Sequence, residues 1–417
     1  MGGSACVEPE DSFSSPHQEE GLPETDPGIF EDRRTLARVC STFRALVTEI
    51  CVEYIVVQHG DELEQVVRLL EHSKPNAAGK RLGETTLRVD LKIIGPYNPA
   101  LITTLLMHTP NLMVFANHSG RSTGVLGRMP KELVHALATH GRHIRRLEFD
   151  SINEAPTLLD IIDIAQPSLA LRALSLRCIH SYPNDPDVIQ NLPIIPFTTL
   201  KTLLLNRIPI IPGPEGRGPP SYPSTWTPFL MYLRVDKSQL PQLERLEVSR
   251  NRDDAQMVEF FRIHGWKFRM LKVSTESVKS VLPQVLRHCS NLDSLVLAHR
   301  SRIRLNLPHE MPGIRRICIT PYVEETARVP PHIFYKTVLF PLGELMTALD
   351  RVRYGSLSEV RVRNVGVYDE LAECDEWSHP WWSSFNQRGI RFVDKEGRPY
   401  ADTVHRESPS LIISYLT

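Results

Sequence analysis

An α/β solenoid, a curved parallel sheet lined by helices, is the fold to expect of this 417-residue chain. Two regularities carry that expectation. The pattern Φ-x-x-Φ-x-Φ, with Φ apolar, recurs as IRRLEF (144–149), LRALSL (171–176), LKTLLL (200–205), LERLEV (243–248), FRMLKV (268–273), LDSLVL (292–297), IRRICI (314–319) and LSEVRV (357–362). Most copies start 22 to 29 residues after the one before, and several are preceded by an apolar helical stretch such as ALITTLLMH, KELVHALATH or QMVEFFRIH. A short alternating strand plus a helix at that period is the signature of a leucine-rich-repeat type solenoid. No unit can stand alone. Three buried anchors contribute roughly 1.5–3 kcal/mol each, whereas ordering about 25 residues costs roughly 1–2 kcal/mol per residue.

The elements follow in order. Residues 1–28 carry seven acids and no Lys or Arg, with few sizeable apolar groups, and are expected to be a disordered acidic tail. Residues 29–72 form a helical segment and N-terminal cap. Leu36, Val39, Cys40, Phe43, Leu46, Val47, Ile50 and Cys51 fall on one face of a helix of about four turns, which runs into the strand-like Ile55-Val56-Val57. A second helix follows, with Asp61 as its expected N-cap and Leu63, Val66, Val67 and Leu70 as its buried stripe. The repeat array occupies 73–370, with degenerate copies at TTLRVDL (85–91) and NLMVFAN (111–117). Two gaps of 43 residues between repeats hold insertions. One contains the Pro/Gly-rich loop 209–228, whose seven prolines exclude a regular helix or central strand. The other ends in PLGELMTALDRV, a helix ahead of a strand. Residues 371–417 include DEWSHPWWSSFNQRGIRFV, read as a Trp-rich cap over the end of the repeat core.

Composition excludes several classes of function. A net charge of -1 offers no global field for nucleic acid or an anionic membrane, and neither is an expected partner. No run of 18 apolar residues and no basic-then-apolar leader occurs, so the chain reads as intracellular, cytoplasmic or nuclear. Seven widely spaced cysteines without a CxxC pair fit buried thiols in a reducing compartment. The sequence lacks a Gly-rich phosphate loop, a GxSxG elbow and an HExxH helix. Cys374, Asp375, Glu376 and His379 match no standard metal spacing and read as a solvated acidic turn; His140 and His143 form a pair with no neighbouring third ligand. No enzyme activity, cofactor or metal is expected.

Surface charge is better organised. At the second position of the repeated pattern stand Arg145, Arg172, Lys201, Arg269 and Arg315, interrupted by Glu244, Asp293 and Ser358. Stacked in register they would form a ladder along one margin of the sheet, either a solvated face or a stripe for an acidic segment. Alternation directs the third, fifth and seventh positions away from the core. The expected concave, partner-binding face therefore carries Arg146, Glu148, Asp150, Arg177, Asn206, Arg245, Glu247, Lys272, Arg316, Arg361 and Arg363. So mixed a face suits protein recognition better than a phosphate tract.

The opening helix adds a resemblance. Val39-Cys40-Ser41-Thr42-Phe43-Arg44-Ala45-Leu46 is similar to the second half of an F-box, and Leu22-Pro23 with Ile29-Phe30 to its first half. Together with the repeats and the TPNLMV and CSNLDSL phrasing, the chain resembles divergent F-box/leucine-rich-repeat proteins of fungal type over about residues 22 to 395. It departs from them at Glu24–Gly28, where Pro27-Gly28 would break the first F-box helix, and only eight residues separate Phe30 from Val39. The resemblance implies a substrate receptor of a Skp/cullin/F-box ubiquitin ligase, with Leu22, Pro23, Ile29, Phe30, Leu36, Val39, Cys40 and Phe43 meeting a Skp-type adaptor and a protein substrate on the concave face. The alternative is a repeat scaffold with no ubiquitin role, its F-box remnant serving only as a cap.

Overall fold

A computed structural model describes residues 35–36, 38–40, 51–75, 79–119, 127–151, 154–167, 170–180, 189, 191–205, 226–248, 254–275, 281–299, 305–321, 339–362, 375–394, 397 and 399. The chain divides into two compact units, one of residues 16–243 and one of residues 244–417 with residues 1–15.

In the first unit, β1 (Tyr54–Val57), β2 (Arg88–Leu91), β3 (Val114–Asn117), β5 (Arg146–Phe149), β7 (Ala173–Leu176) and β8 (Thr202–Leu205) lie side by side in that order. Every pair is parallel, with Tyr54, Arg88, Val114, Arg146, Ala173 and Thr202 in register. Two-residue strands β4 (Gly127–Arg128) and β6 (Glu154–Ala155) pair separately. Parallel neighbours need a crossover, and helices supply most of them: α1 (Gly60–Glu71), α2 (Ala100–His108), α3 (Lys131–His140) and α4 (Leu158–Ala165), with α5 (Thr227–Leu233) after β8. Because side chains alternate along a strand, Val89, Phe115, Leu147, Leu174 and Leu203 share one face, and all are essentially without solvent exposure. Leu63, Ile102, Leu105, Leu133, Leu137 and Ile161 of the helices are equally buried. Each such side chain contributes roughly 1.5–3 kcal/mol, which explains how four-residue strands persist.

The second unit repeats the plan. Strands β9 (Arg245–Val248), β10 (Met270–Ser274), β11 (Ser294–His299), β12 (Arg316–Pro321), β13 (Glu359–Val362) and β14 (Arg391–Val393) are parallel in sequence order. Helices α6 (Asp254–His264), α7 (Leu282–His288), α8 (Phe340–Asp350) and α9 (Asp375–Gln387) fall between them. Phe260, Phe261 and Phe268 form an aromatic group in its core, with centroids 5.4–6.2 Å apart and Phe261 edge-on to the other two. Each unit is thus an α/β, leucine-rich-repeat-like stack of strand–helix repeats.

One turn recurs so closely that it identifies equivalent repeats. After α1, Gly83 sits where an added Cβ would stand 2.1 Å from the carbonyl oxygen of His108, the last residue of α2. After α6, Gly265 stands in the same relation to His288, the last residue of α7, at 2.8 Å. Asn111 Nδ2 donates to the Glu84 carbonyl at 2.8 Å and Asn291 Nδ2 to the Trp266 carbonyl at 2.6 Å, each bond tying one repeat to the repeat before it. These are the asparagines of the TPNLMV and CSNLDSL phrases.

Local details depart from expectation at three places. The N-cap of α1 is His59, not Asp61, because the helix begins at Gly60; Glu62 accepts from the Gln58 backbone N–H at 2.7 Å. Thr227 and Pro228, assigned to the Pro-rich loop, open α5, where a proline in the first turn costs no backbone bond; residues 206–225 of that loop lie outside the described residues. Asp375, Glu376 and His379 stand on α9 rather than in a turn. On the opening segment Thr35, Leu36, Arg38 and Val39 are helical, as is Cys51. The acidic tail 1–28 and residues 41–50 lie outside the described residues. Among the described residues no helix is long and apolar enough to cross a membrane.

Candidate partner-binding face

Residues two apart on a strand point the same way, so a cation and an acid at i and i+2 lie beside each other on one face. Among the described residues that arrangement occurs on four strands. Arg88 Nε donates to Asp90 Oδ1 at 2.8 Å on β2, and Arg146 Nε to Glu148 Oε1 at 2.5 Å on β5. On β9 the bond from Arg245 Nη2 to Glu247 Oε1 is 2.7 Å, and on β13 that from Arg361 Nη2 to Glu359 Oε1 is 2.9 Å. Within each unit alternation puts the pairs on the strand face opposite the apolar side chains, Leu147 and Leu174 in the first unit and Leu246 and Val360 in the second, which is the side that the sequence pattern assigns to the candidate residues. Arg146, Glu148, Arg245 and Glu247 are nonetheless only 3–6 % exposed. Charges so far from water persist only when each is partnered, and the strand geometry provides the partner.

Neighbouring strands extend the pairs. Lys272 Nζ reaches Glu247 Oε2 at 3.0 Å, Arg391 Nη1 lies 3.6 Å from Glu359 Oε2, and His118 Nε2 lies 3.7 Å from Glu148 Oε2. Burial is the largest influence on Glu247 and pushes its carboxyl up. Lys272 and then Arg245 overcome it, so the group titrates below the ordinary carboxylate range. Tyr54 donates its hydroxyl to Asp90, and the Arg88 guanidinium lies 4.9 Å from the centre of the Tyr54 ring. Ser175 Oγ lies 3.4 Å from Asp150 Oδ1, and Arg177 Nη1 donates to the Asp150 carbonyl at 3.1 Å.

The face is not charged throughout. Met270, Val296 and Cys318 form a buried apolar group on it in the second unit. Beside them Lys272 and Arg316 keep 40 % and 36 % of their side chains in solvent. Arg316 is 4.0 Å from Asp293 Oδ1. Asn206 and Arg363 lie outside the described residues. The expected list passed over Tyr54, Arg88, Asp90, Ser175, Met270, Val296, Cys318 and Glu359. A signal for some of them was present: RVD (88–90), RLE (146–148), RLE (245–247) and EVR (359–361) are one opposite-charge i,i+2 pattern.

Of the residues that the F-box resemblance assigns to an adaptor, Leu36 is 42 % and Val39 63 % exposed, and Cys40 is exposed beside them. Leu22, Pro23, Ile29, Phe30 and Phe43 lie outside the described residues. Among the described residues no three His, Cys, Asp or Glu side chains cluster as metal ligands would. His140 ends α3, and His143 Nε2 accepts from Arg142 Nε at 3.2 Å. Cys178 and Cys289 are buried, and burial pushes their thiols up to about 11 and about 12.

No protein-family model matches the sequence, and no curated protein matches it. Among solved structures, the leucine-rich-repeat-containing protein LegL7 from Legionella pneumophila is similar over 74 % of this chain and 91 % of that chain, with 12 % sequence identity and a TM-score of 0.40.

Proposed function

We propose that the chain is a non-catalytic protein-interaction module, the substrate receptor of a Skp/cullin/F-box type ubiquitin ligase. The observation that carries the reading is the opening segment. Leu36 and Val39 stand about one turn apart on a helix with 42 % and 63 % of their surface in water, where the stretch that resembles the second half of an F-box begins. Large apolar side chains left open side by side on a helix are what a docking partner covers. The face of paired charges in the second unit takes the protein to be ubiquitinated. There the more open Lys272, Arg316 and Arg391 make the first polar contacts, and the buried pairs beneath hold the face rigid. The chain's task is proximity: it raises the concentration of substrate lysines around the ligase's catalytic arm.

The test is capture of a purified Skp-type adaptor by the full-length chain and by a Val39→Asp, Phe43→Asp variant of unchanged thermal unfolding. Capture by the parent, reduced at least tenfold in the variant, is expected. Absence of binding by the parent at tens of micromolar adaptor would leave a repeat scaffold without a ubiquitin role, its opening helix acting as a cap; the helix-breaking Pro27-Gly28 favours that second reading.

A further inference from the structure

Along both units the residue just before a strand hydrogen-bonds through its backbone to the equivalent residue of the next repeat, β14 excepted, and so the margin of each unit is a row of stacked side chains. In the first unit the row runs Glu53, Leu87, Met113, Arg145, Arg172, Lys201, with N–H to carbonyl distances of 2.7–2.9 Å. In the second it runs Glu244, Arg269, Asp293, Arg315, Ser358, with distances of 2.8–3.0 Å. The two rows differ in charge. Acid and base alternate in the second, about 5 Å apart as strand spacing dictates, and neighbours compensate. Three cations stand consecutively in the first, with no acid between them. Arg172 and Lys201 are exposed and Arg145 is half-buried. Among the described residues none of the three side chains takes part in an ion pair, in contrast to the arginines of the adjacent face.

We propose that Arg145, Arg172 and Lys201 form a docking stripe for an acidic peptide segment of a protein partner, lying across the starts of β5, β7 and β8. Charge complementarity chooses the occupant. Like charges held about 5 Å apart by a rigid backbone ladder repel one another, and carboxylates laid along the row remove that repulsion while keeping every group in water. A run of adjacent glutamates matches a row of single cations; long flexible side chains on both partners absorb the difference between residue spacing and strand spacing. The stripe uses none of the residues assigned to the adaptor segment or to the charge pairs, and the proposal stands whether or not the chain serves a ubiquitin ligase.

The experiment uses the full-length chain and a dye-labelled peptide of eight glutamates, read by fluorescence anisotropy at low and at moderate salt. Binding is expected to weaken at least tenfold in an Arg172→Glu, Lys201→Glu variant and about threefold or more in the milder Arg172→Gln, Lys201→Gln variant. It should be unchanged in Arg315→Glu, taken from the alternating row, and should weaken steeply with added salt. Circular dichroism of each variant checks folding, and these exposed positions tolerate the changes. The proposal is overturned if the parent does not bind the peptide, if the charge-reversed pair binds within twofold of the parent, or if Arg315→Glu loses as much. It is overturned as well, in favour of the chain's own acidic residues 1–28 as occupant, if deleting them strengthens peptide binding tenfold.

Discussion

Glu247 shows in one side chain how the candidate face is held. It is 6 % exposed, between Arg245 on its own strand and Lys272 on the next. Its carboxyl is held below the ordinary range, so the stabilisation it provides is complete above the unfolded value of about 4.3 and drains away as the pH falls through the lower folded value. Glu247→Gln leaves two cations around a neutral amide, and at pH 7 it is expected to cost roughly 3 kcal/mol. Urea unfolding from pH 7 to pH 3 should show the parent losing stability faster than the variant below about pH 4.3, the two curves converging in acid. Curves that stay parallel throughout would mean that Glu247 is not the paired carboxylate described. Arg146 is held by a similar pair, but its Nη1 is buried without a hydrogen-bond partner, a donor the strand geometry leaves over.

At the level of elements, the turn shared by the α1–α2 and α6–α7 repeats binds successive repeats together by two means. The asparagine amide satisfies a carbonyl of the preceding turn, and the glycine allows the next helix's terminal carbonyl to approach. Asn111→Ala and Asn291→Ala should each destabilise by about 0.5–1.5 kcal/mol. Gly83→Ala, whose Cβ would stand 2.1 Å from the His108 oxygen, should cost more, on the order of 1–3 kcal/mol. Thermal unfolding of the three single variants measures this, and a neutral Gly83→Ala would show that the turn can open without loss. The asparagines were legible as repeated phrasing in the chain. Their hydrogen-bond partners were not, because each lies 25 or 27 residues away, and only stacking brings it near. The α1 cap was misplaced for a related reason: Gly60 starts the helix two residues early, where a Cβ would meet the Pro96 oxygen at 2.7 Å, a tertiary contact that no local pattern encodes.

For each unit as a stack, stability should spread through neighbouring repeats rather than through a single core. Leu271, without solvent exposure on β10, pairs in register with Leu246 of β9 and Leu295 of β11. Leu271→Ala should cost about 2–5 kcal/mol. Its amide-exchange footprint should be largest in β9, β10 and β11 and smaller in β13 and β14. Equal loss across all five strands would show that the unit opens as one cooperative block.

Periodicity along the chain was enough to establish strand, helix and repeat, because a buried apolar side chain is needed on every second strand position and every third or fourth helix position whatever the neighbours are. It placed α2 and α3 to the residue and named the side of the sheet on which Arg146, Glu148, Arg245 and Glu247 stand. It could not say how open that side is. Whether an arginine on a strand reaches water or lies 4 % exposed against a glutamate depends on what packs beside it, and that is a property of adjacent repeats brought within 5 Å by folding. The same holds for the basic margin: the sequence lists its three cations 27 and 29 residues apart, and only parallel register makes them neighbours.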